Sequence, residues 1–237
     1  MQRFYFENLE STDDSITIKN QTLLNQLNKV LRVRQGDEIS FFNGRDNFDY
    51  VFAIVQIHKR EIYLEKRGFL EIDSENHFNL NIISALPNKV EKLEYIVQKG
   101  TEIGVSNFMF FRSERSQKLN LSENKKERLK KIIIEAVEQS GRSIVPELVF
   151  IDNISLDDFS ESENIFFHTS SINSSKLKDL KINKSKTINL FVWPEWWWND
   201  DELELFENNS FKKVFLWNRT LRTETVSSVV WFFISQI

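Results

Sequence analysis

Asn79–Ala85 reads NLNIISA, Lys89–Thr101 reads KVEKLEYIVQKGT, Asn107–Phe111 reads NFMFF, and Asn124–Gln139 reads NKKERLKKIIIEAVEQ. Short apolar runs of strand length alternate here with longer segments of helical period. In the longest of them Leu129, Ile132, Ile133, Ala136 and Val137 recur at helical spacing. The alternation continues downstream. Asn164–His168, Thr187–Val192 and Lys213–Leu216 read as strands, and Asp200–Asn208 and Thr223–Ile237 as helices. A chain that alternates in this way builds an α/β domain on a mainly parallel sheet.

The sequence before this region has a different rhythm. Arg3–Phe6, Ser15–Ile18, Glu38–Phe42, Tyr50–Val55 and Glu61–Glu65 are β-rich runs interrupted by one helical segment, Thr22–Val30. Asn43-Gly44 is a turn signal. Many short strands with one helix suggest a small β-barrel. Glu71–Phe78 is mostly polar and reads as a linker. The expected organisation is therefore a barrel over 1–70, a linker over 71–78 and an α/β domain over 79–237.

Composition narrows the chemistry. The chain has 237 residues and no cysteine, which removes disulfides, thiolate nucleophiles and cysteine-based metal sites. His58, His77 and His168 form no spaced pair, so a histidine-rich metal site is not expected. No apolar stretch approaches the ~20 residues that span a bilayer. MQRFYFENLE lacks the basic start and apolar run of a secretory signal, so a cytoplasmic location is expected. The net charge of −4 argues weakly against nucleic acid, but the charge is unevenly distributed. Basic clusters occur at Lys29–Arg34, Lys118–Lys131 and Arg219–Arg222. On the helix Asn124–Gln139, Lys125, Lys126, Arg128, Lys130 and Lys131 form either a solvated charged face or an RNA-facing stripe. On Thr223–Ile237, Val226, Val229, Val230, Phe233 and Ile237 form one apolar side, and Trp231 and Phe232 make other faces apolar too.

Five segments carry the functional signal. Leu27–Asp37 reads LNKVLRVRQGD, and Lys89–Val105 reads KVEKLEYIVQKGTEIGV. Ser113–Ser116 reads SERS, and Glu135–Pro146 reads EAVEQSGRSIVP. The last segment lies in two pieces, FVWPEWWWND at Phe191–Asp200 and LWNRTLRTETV at Leu216–Val226. Singly, each has a structural explanation: a turn, a helix end capped at Gly104 or Gly141, or an N-cap at Thr223. Together and in this order, from residue 3 to the C-terminus, they resemble the RsmE family of small-subunit rRNA uridine-N3 methyltransferases. Leu221–Thr225 is the most specific part of the match.

The resemblance implies a PUA-like β-barrel followed by a SPOUT α/β domain with a C-terminal trefoil knot. It also implies S-adenosylmethionine as cofactor, 16S rRNA of the small ribosomal subunit as partner, and a homodimer, with no metal and no membrane. Carried over residue by residue, it assigns catalysis to Arg222, Glu224 and Arg219. Cofactor binding falls to Val192, Trp193, Pro194, Glu195, Trp196, Trp197, Leu216, Trp217, Asn218, Leu221, Thr223 and Thr225. RNA contacts fall to Lys29, Arg32, Arg34, Lys89, Arg115 and Arg142. The assignments make chemical sense. Displacement at a sulfonium depends on bringing the acceptor nitrogen in line with the methyl group. Uracil N3–H is weakly acidic, so Arg219 and Arg222 would stabilise a developing anion, while Glu224 or Glu195 would take the proton or position the base.

One departure stands out. The family's GPEGG loop reads Trp193-Pro194-Glu195-Trp196-Trp197 here, and its LG-x-R segment reads Leu216-Trp217-Asn218-Arg219. Tryptophan replaces four glycines whose freedom lets backbone approach a ligand. No glycine follows Gly141, and no tryptophan precedes Trp193. One reading is that residues 193, 196, 197 and 217, with Trp231 a further candidate, are UGA codons written as tryptophan although the source reads them as glycine. Trp198 is then genuine. The alternative is a true sequence with a filled pocket, a non-catalytic rRNA-binding relative. Sequencing the gene decides: UGA at 193, 196, 197 and 217 is expected, and UGG there would reject the recoding.

Overall fold

The computed structural model describes residues 1–112, 119–152, 154–168, 172, 174–192, 198, 200–216 and 221–236. The chain forms two compact units. One comprises Met1–Glu75 with Val137–Val145, and the other Asn76–Ala136 with Pro146–Ile237.

The first unit is built on five strands: β1 (Arg3–Tyr5), β2 (Ser15–Ile18), β3 (Glu38–Phe42), β4 (Phe48–Ile57) and β5 (Ile62–Glu71). They lie in the order β1-β3-β4-β5-β2; β1 pairs parallel with β3 and the other neighbours are antiparallel. Alternation places Ile16 and Ile18 of β2 inside and Ser15 and Thr17 outside. They join Phe4, Ile39, Phe41, Phe52, Ile54 and Leu64 in one core. The helical segment is not uniform. α1 (Gln21–Asn25) is capped by Asn20, whose side chain accepts from the backbone N–H groups of Thr22 and Leu23. It passes into a π-turn over Gln26–Leu31 that ends at Arg32, in the left-handed region at φ 54°. The wider turn brings both Leu24 and Leu27 to the core. β4 and β5 run longer than their apolar patterns suggest, because each carries half-exposed residues beyond the core, and two register shifts bend the pair.

Val137–Val145 is held in this unit by two carboxylates. Asp49 binds the Arg3 guanidinium at 2.9 and 2.7 Å, and Arg3 also donates to the carbonyl of Val137 and the hydroxyl of Ser143. Glu75 accepts from Arg142 at 2.7 Å and from the backbone N–H groups of Ser143 and Ile144. Arg142 is 3% exposed. Gly141, at φ 80°, closes the preceding helix as its sequence position suggests.

The second unit is a parallel α/β sheet of seven strands in the order β10-β12-β9-β11-β6-β7-β8. The strands are β6 (Leu80–Ala85), β7 (Asn107–Phe111), β8 (Glu147–Ile151), β9 (Glu163–His168), β10 (Ser175–Lys176), β11 (Ile188–Val192) and β12 (Lys212–Phe215). The helices are α2 (Val90–Glu102), α3 (Glu123–Ser140), α4 (Asp200–Asn208) and α5 (Thr223–Gln236). β8 and β10 are additions to the sequence reading. β8 lies at the sheet's edge and is only half buried, and β10 is too short to leave a periodic signal. α2 buries Leu93, Ile96, Val97, Gly100 and Thr101. It ends at Gly104, φ 88°, where an added Cβ would stand 2.3 Å from Asn76 Nδ2. None of the described helices is long and apolar enough to cross a membrane.

Replacing Arg142 with alanine leaves the half-buried Glu75 carboxylate without its cation. Loss of one partner from such a pair costs about 3 kcal/mol. Arg142→Ala should therefore lower the unfolding free energy of the full chain in urea by about that amount, with a lower midpoint. An unchanged midpoint would show that the pair contributes nothing to the fold.

Candidate active site at the carboxyl ends of the parallel strands

In open parallel sheets, ligands bind beyond the carboxyl ends of the strands, where the order of strands changes direction. Here β11 lies between β9 and β6, and β12 on the other side of β9. Val192 ends β11 and is fully buried. Leu216 follows the last residue of β12. The residues after Val192 and Leu216 are those that the sequence singles out, and most lie outside the described residues: Trp193, Pro194, Glu195, Trp196, Trp197, Trp217, Asn218 and Arg219. Arg115 lies outside them too.

The described part of the site continues at Leu221 and α5. The carbonyl of Arg222 accepts from the N–H groups of Thr225 and Val226, so Arg222 rather than Thr223 occupies the cap position. Thr223 is the first helical residue and is buried, with its carbonyl accepting from Ser227 Oγ at 2.9 Å. Thr225 is exposed. The Arg222 side chain is 83% exposed, and its Nη1 stands 4.0 Å from Glu224 Oε1. The other oxygen of Glu224, Oε2, is buried and has no hydrogen-bond partner among the described residues. A buried carboxylate oxygen without a partner is costly to the fold, and such groups mark sites where a ligand completes the bonding.

An apolar pocket of about 500 Å³, within the usual range for small-molecule sites, lies at the ends of β10 and β12. Leu216 and Leu221 line it with Phe215, Leu177, Val229 and Phe233, and Lys176 and Lys178 complete the lining. The sequence indicated Leu216 and Leu221 only. Leu177 and the two lysines arrive through β10 and the turn after it, which carry no motif. Val229 and Phe233, one helical turn apart, were legible as part of an apolar side. The buried side of α5 is different: Val226, Ser227, Val230, Trp231 and Ile234.

The described tryptophans are core residues. Trp198 lies parallel to Phe111 at 6.3 Å between ring centres and edge-on to Phe206 at 4.8 Å. Trp231 is fully buried against Phe108 and Gly100, and a Cβ on Gly100 would meet its ring at 2.8 Å. A glycine facing a tryptophan is a size-matched pair, so the packing favours tryptophan at 231 as well as at 198.

The basic residues divide. Lys29, Arg32 and Arg34 are exposed on and after the π-turn, and Lys89 is exposed just before α2. Arg142 is different. Its guanidinium is buried on Glu75, so it is placed to hold the fold and not to meet a phosphate. On α3, Lys126 pairs with Glu123, Lys130 with Glu127 and Arg128 with Glu94. Much of that face is therefore compensated within the unit, as the solvated-face reading has it. The hydrogen bond from Lys213 holds the Glu207 carboxyl below its ordinary range and ties the end of α4 to β12.

A family model described as RNA methyltransferase domain matches residues 74–235. Among curated relatives, ribosomal RNA small subunit methyltransferase E of Aquifex aeolicus is 31% identical over 218 residues, covering 85% of this chain and 92% of that protein. The protein of the same name from Buchnera aphidicola is 30% identical over 211 residues, covering 85% of this chain and 80% of its own length. A crystal structure of ribosomal RNA small subunit methyltransferase E from Neisseria gonorrhoeae, bound to S-adenosyl methionine, superposes with a TM-score of 0.86 at 26% identity. It covers 100% of this chain and 97% of that one. The fold is thus that of an RNA methyltransferase. Within that class, the chain belongs to the ribosomal RNA small subunit methyltransferase E family.

Glu224→Gln removes a buried charge while keeping shape. If the oxygen is held for a ligand and not for the fold, this variant should raise stability by about 1 kcal/mol in urea unfolding. A fall in the midpoint would assign Glu224 a structural role.

Proposed function

We propose that the chain transfers a methyl group from S-adenosylmethionine to N3 of a uridine in small-subunit (16S) rRNA. The observation that carries the reading is the apolar pocket lined by Leu216 and Leu221 at the carboxyl ends of β10 and β12, followed in the chain by Glu224, whose buried Oε2 has no hydrogen-bond partner among the described residues. The Neisseria relative's bound S-adenosyl methionine and the shared name of the curated relatives support it.

The residues present fit such a cofactor. Apolar walls at Leu216 and Leu221 suit an adenine, and a carboxylate oxygen without a partner among the described residues suits a hydroxyl or cationic group. Bound there, the cofactor supplies an electrophilic methyl group on a sulfonium. Arg222, whose side chain is largely exposed, stabilises with Arg219 the charge that develops on uracil. Glu224 takes the N3 proton or fixes the base. Thr223, Thr225, Asn218 and the 193–197 segment complete the cofactor contacts. Lys29, Arg32, Arg34, Lys89 and Arg115 position RNA through phosphates.

The first unit serves as a PUA-like barrel. The chain beyond β12 is threaded as the trefoil knot of a SPOUT domain, a reading that the placement of β11 between β9 and β6 supports. The protein acts as a homodimer. Val229 and Phe232 of α5 and Tyr95 of α2 are exposed apolar side chains on helices that pack together, a surface a second copy would cover. The second reading, an rRNA-binding relative without catalysis, is favoured by the tryptophans at 193, 196, 197 and 217 alone.

With glycine at those four positions, calorimetry should show cofactor binding, and small subunits from a strain lacking the enzyme should gain N3-methyluridine. A ribose 2′-O-methyl product, or none, would reject the reaction. Tight cofactor binding by the tryptophan chain would reject the non-catalytic reading. In the glycine form, Arg222→Ala should lower kcat by about 10²-fold with little change in cofactor affinity. Arg32→Ala should raise KM for the subunit and leave kcat near normal. A monomer in light scattering at micromolar concentration would refute the dimer.

A further inference from the structure

The amino ends of the parallel strands carry a second cleft, of about 360 Å³. Two segments line it: residues 76–79, which lead into β6, and residues 184–187, which lead into β11. The pairing of the strands sets these segments side by side. Ile188 lies opposite Leu80, and its N–H donates to the carbonyl of Asn79 at 2.9 Å. The pocket of Leu216 and Leu221 is at the carboxyl ends of the sheet, so the cleft is no part of it. Ile188 and Val192 alone are roughly 13 Å apart along β11.

Both walls are held in place. The Asn76 side chain donates to the carbonyl of Gly104 at 2.9 Å. In the other wall, the Asn183 side chain accepts from the N–H of Ser185 at 3.0 Å, and the Asn183 carbonyl from that of Lys186 at 3.1 Å. An asparagine that binds the backbone two residues on closes a tight turn. This turn carries the two lysines of the wall.

The lining is polar and cationic. It holds Lys184, Lys186 and His77, with amide and hydroxyl groups on Asn79, Ser185 and Thr187, and no aspartate or glutamate among the described residues. Lys212 and Lys213 of β12 each hold a glutamate, whereas neither Lys184 nor Lys186 has an ion pair among the described residues. The Lys184 ammonium stands 4.8 Å from the centre of the Phe78 ring. That contact steadies a long flexible stem and leaves its charge uncompensated. A cleft with cations and no acid holds a positive local potential even in a chain of net charge −4. Its chemistry suits an anion with several acceptor oxygens. For a protein that acts on RNA, that anion is the backbone phosphate. Lysine meets phosphate as a point charge, and amides and hydroxyls add hydrogen bonds.

We infer that the cleft between 76–79 and 184–187 binds a backbone phosphate of the RNA substrate, with Lys184 and Lys186 as its cations. This rests on the reading of the chain as an RNA methyltransferase. It gives the second unit its own hold on RNA, away from the reacting end of the sheet. The two lysines take no part in the displacement, so they are positioning residues.

The test is a titration of the full chain, carrying a fluorescent label, with purified small ribosomal subunits at several salt concentrations. It needs no cofactor and no turnover. Each of Lys184→Gln and Lys186→Gln should lower the slope of log K against log salt by about 0.7 to 0.9, and the pair together should weaken binding about tenfold at physiological salt. Lys184→Arg keeps the charge and the ring contact and should bind as the native chain does. Lys181 is exposed nearby in sequence but does not line the cleft, so Lys181→Gln should leave the slope unchanged. In methylation assays of the glycine form, the double variant should raise KM for the subunit and leave kcat near normal. An unchanged slope in the double variant, or an equal fall in Lys181→Gln, would overturn the inference, and if methylation persists the functional reading survives. Absence of any binding to subunits by the native chain, with no product from the glycine form, would overturn both. If the double variant loses calorimetric binding of inorganic pyrophosphate but binds subunits unchanged, the cleft holds a free phosphate and the assignment to RNA is wrong.

Discussion

Four asparagines hydrogen-bond in series across the parallel sheet. Asn107 donates to Asn81 at 2.8 Å, Asn81 to Asn189 at 3.0 Å, and Asn189 to Asn164 at 2.9 Å. Asn164 then donates to the carbonyl of Phe159 at 2.7 Å. The four sit opposite one another on β7, β6, β11 and β9. A slip of one residue in any strand would put its asparagine on the other face and leave buried amides unpaired, a cost of about 1–3 kcal/mol for each group. An apolar strand alone sets its register weakly against neighbours that are equally apolar. The polar row supplies what those side chains lack, and so decides where each strand ends.

The ends of the strands are where the site is. With β11 and β6 in register, Val192 finishes opposite Ser84, and β12 carries the chain to Leu216 beside β9. The position of α5 follows from a second constraint, the packing of Trp231 on Gly100 and Phe108. That contact fixes the helix against α2. Its turn of Val226, Val230 and Ile234 faces inward, which leaves Val229 and Phe233 to line the pocket. The first turn of the same helix presents Glu224, with one oxygen near Arg222 and the other without a hydrogen-bond partner among the described residues. A rigid sheet and a tightly packed helix thus carry an electrostatically unfinished group, the usual division between scaffold and chemistry.

Charge in this protein is sorted by its partner more than by its sign. Arg142 is buried on Glu75 and Arg3 half-buried on Asp49, where they hold Val137–Val145 in the first unit. Several cations of α3 are neutralised by glutamates on the surface. Lys29, Arg32 and Arg34 remain exposed beside a π-turn, and Arg32 adopts a left-handed backbone unusual for its type. A net charge of −4 is therefore compatible with a local surface that meets phosphate.

The alternation of strand and helix after residue 79 was legible because a buried parallel strand must be apolar and a covering helix must be amphipathic. The caps at Gly104 and Gly141 were legible because a left-handed residue ends a helix there. The order of motifs ending in Leu221–Thr225 sufficed for the family, since several short patterns in one sequence constrain far more than any one alone. Tertiary structure decided the rest. Arg142 looked like an RNA contact, and only the fold shows the carboxylate 67 residues away that buries it. β10 has two residues, too few for any period, yet it brings Leu177 and two lysines to the pocket. The apolar faces of α5 could be listed from the sequence, but which of them is core and which is exposed depends on a glycine in another helix. Local pattern reports what a side chain prefers, whereas long-range packing determines whether a partner is there to meet it.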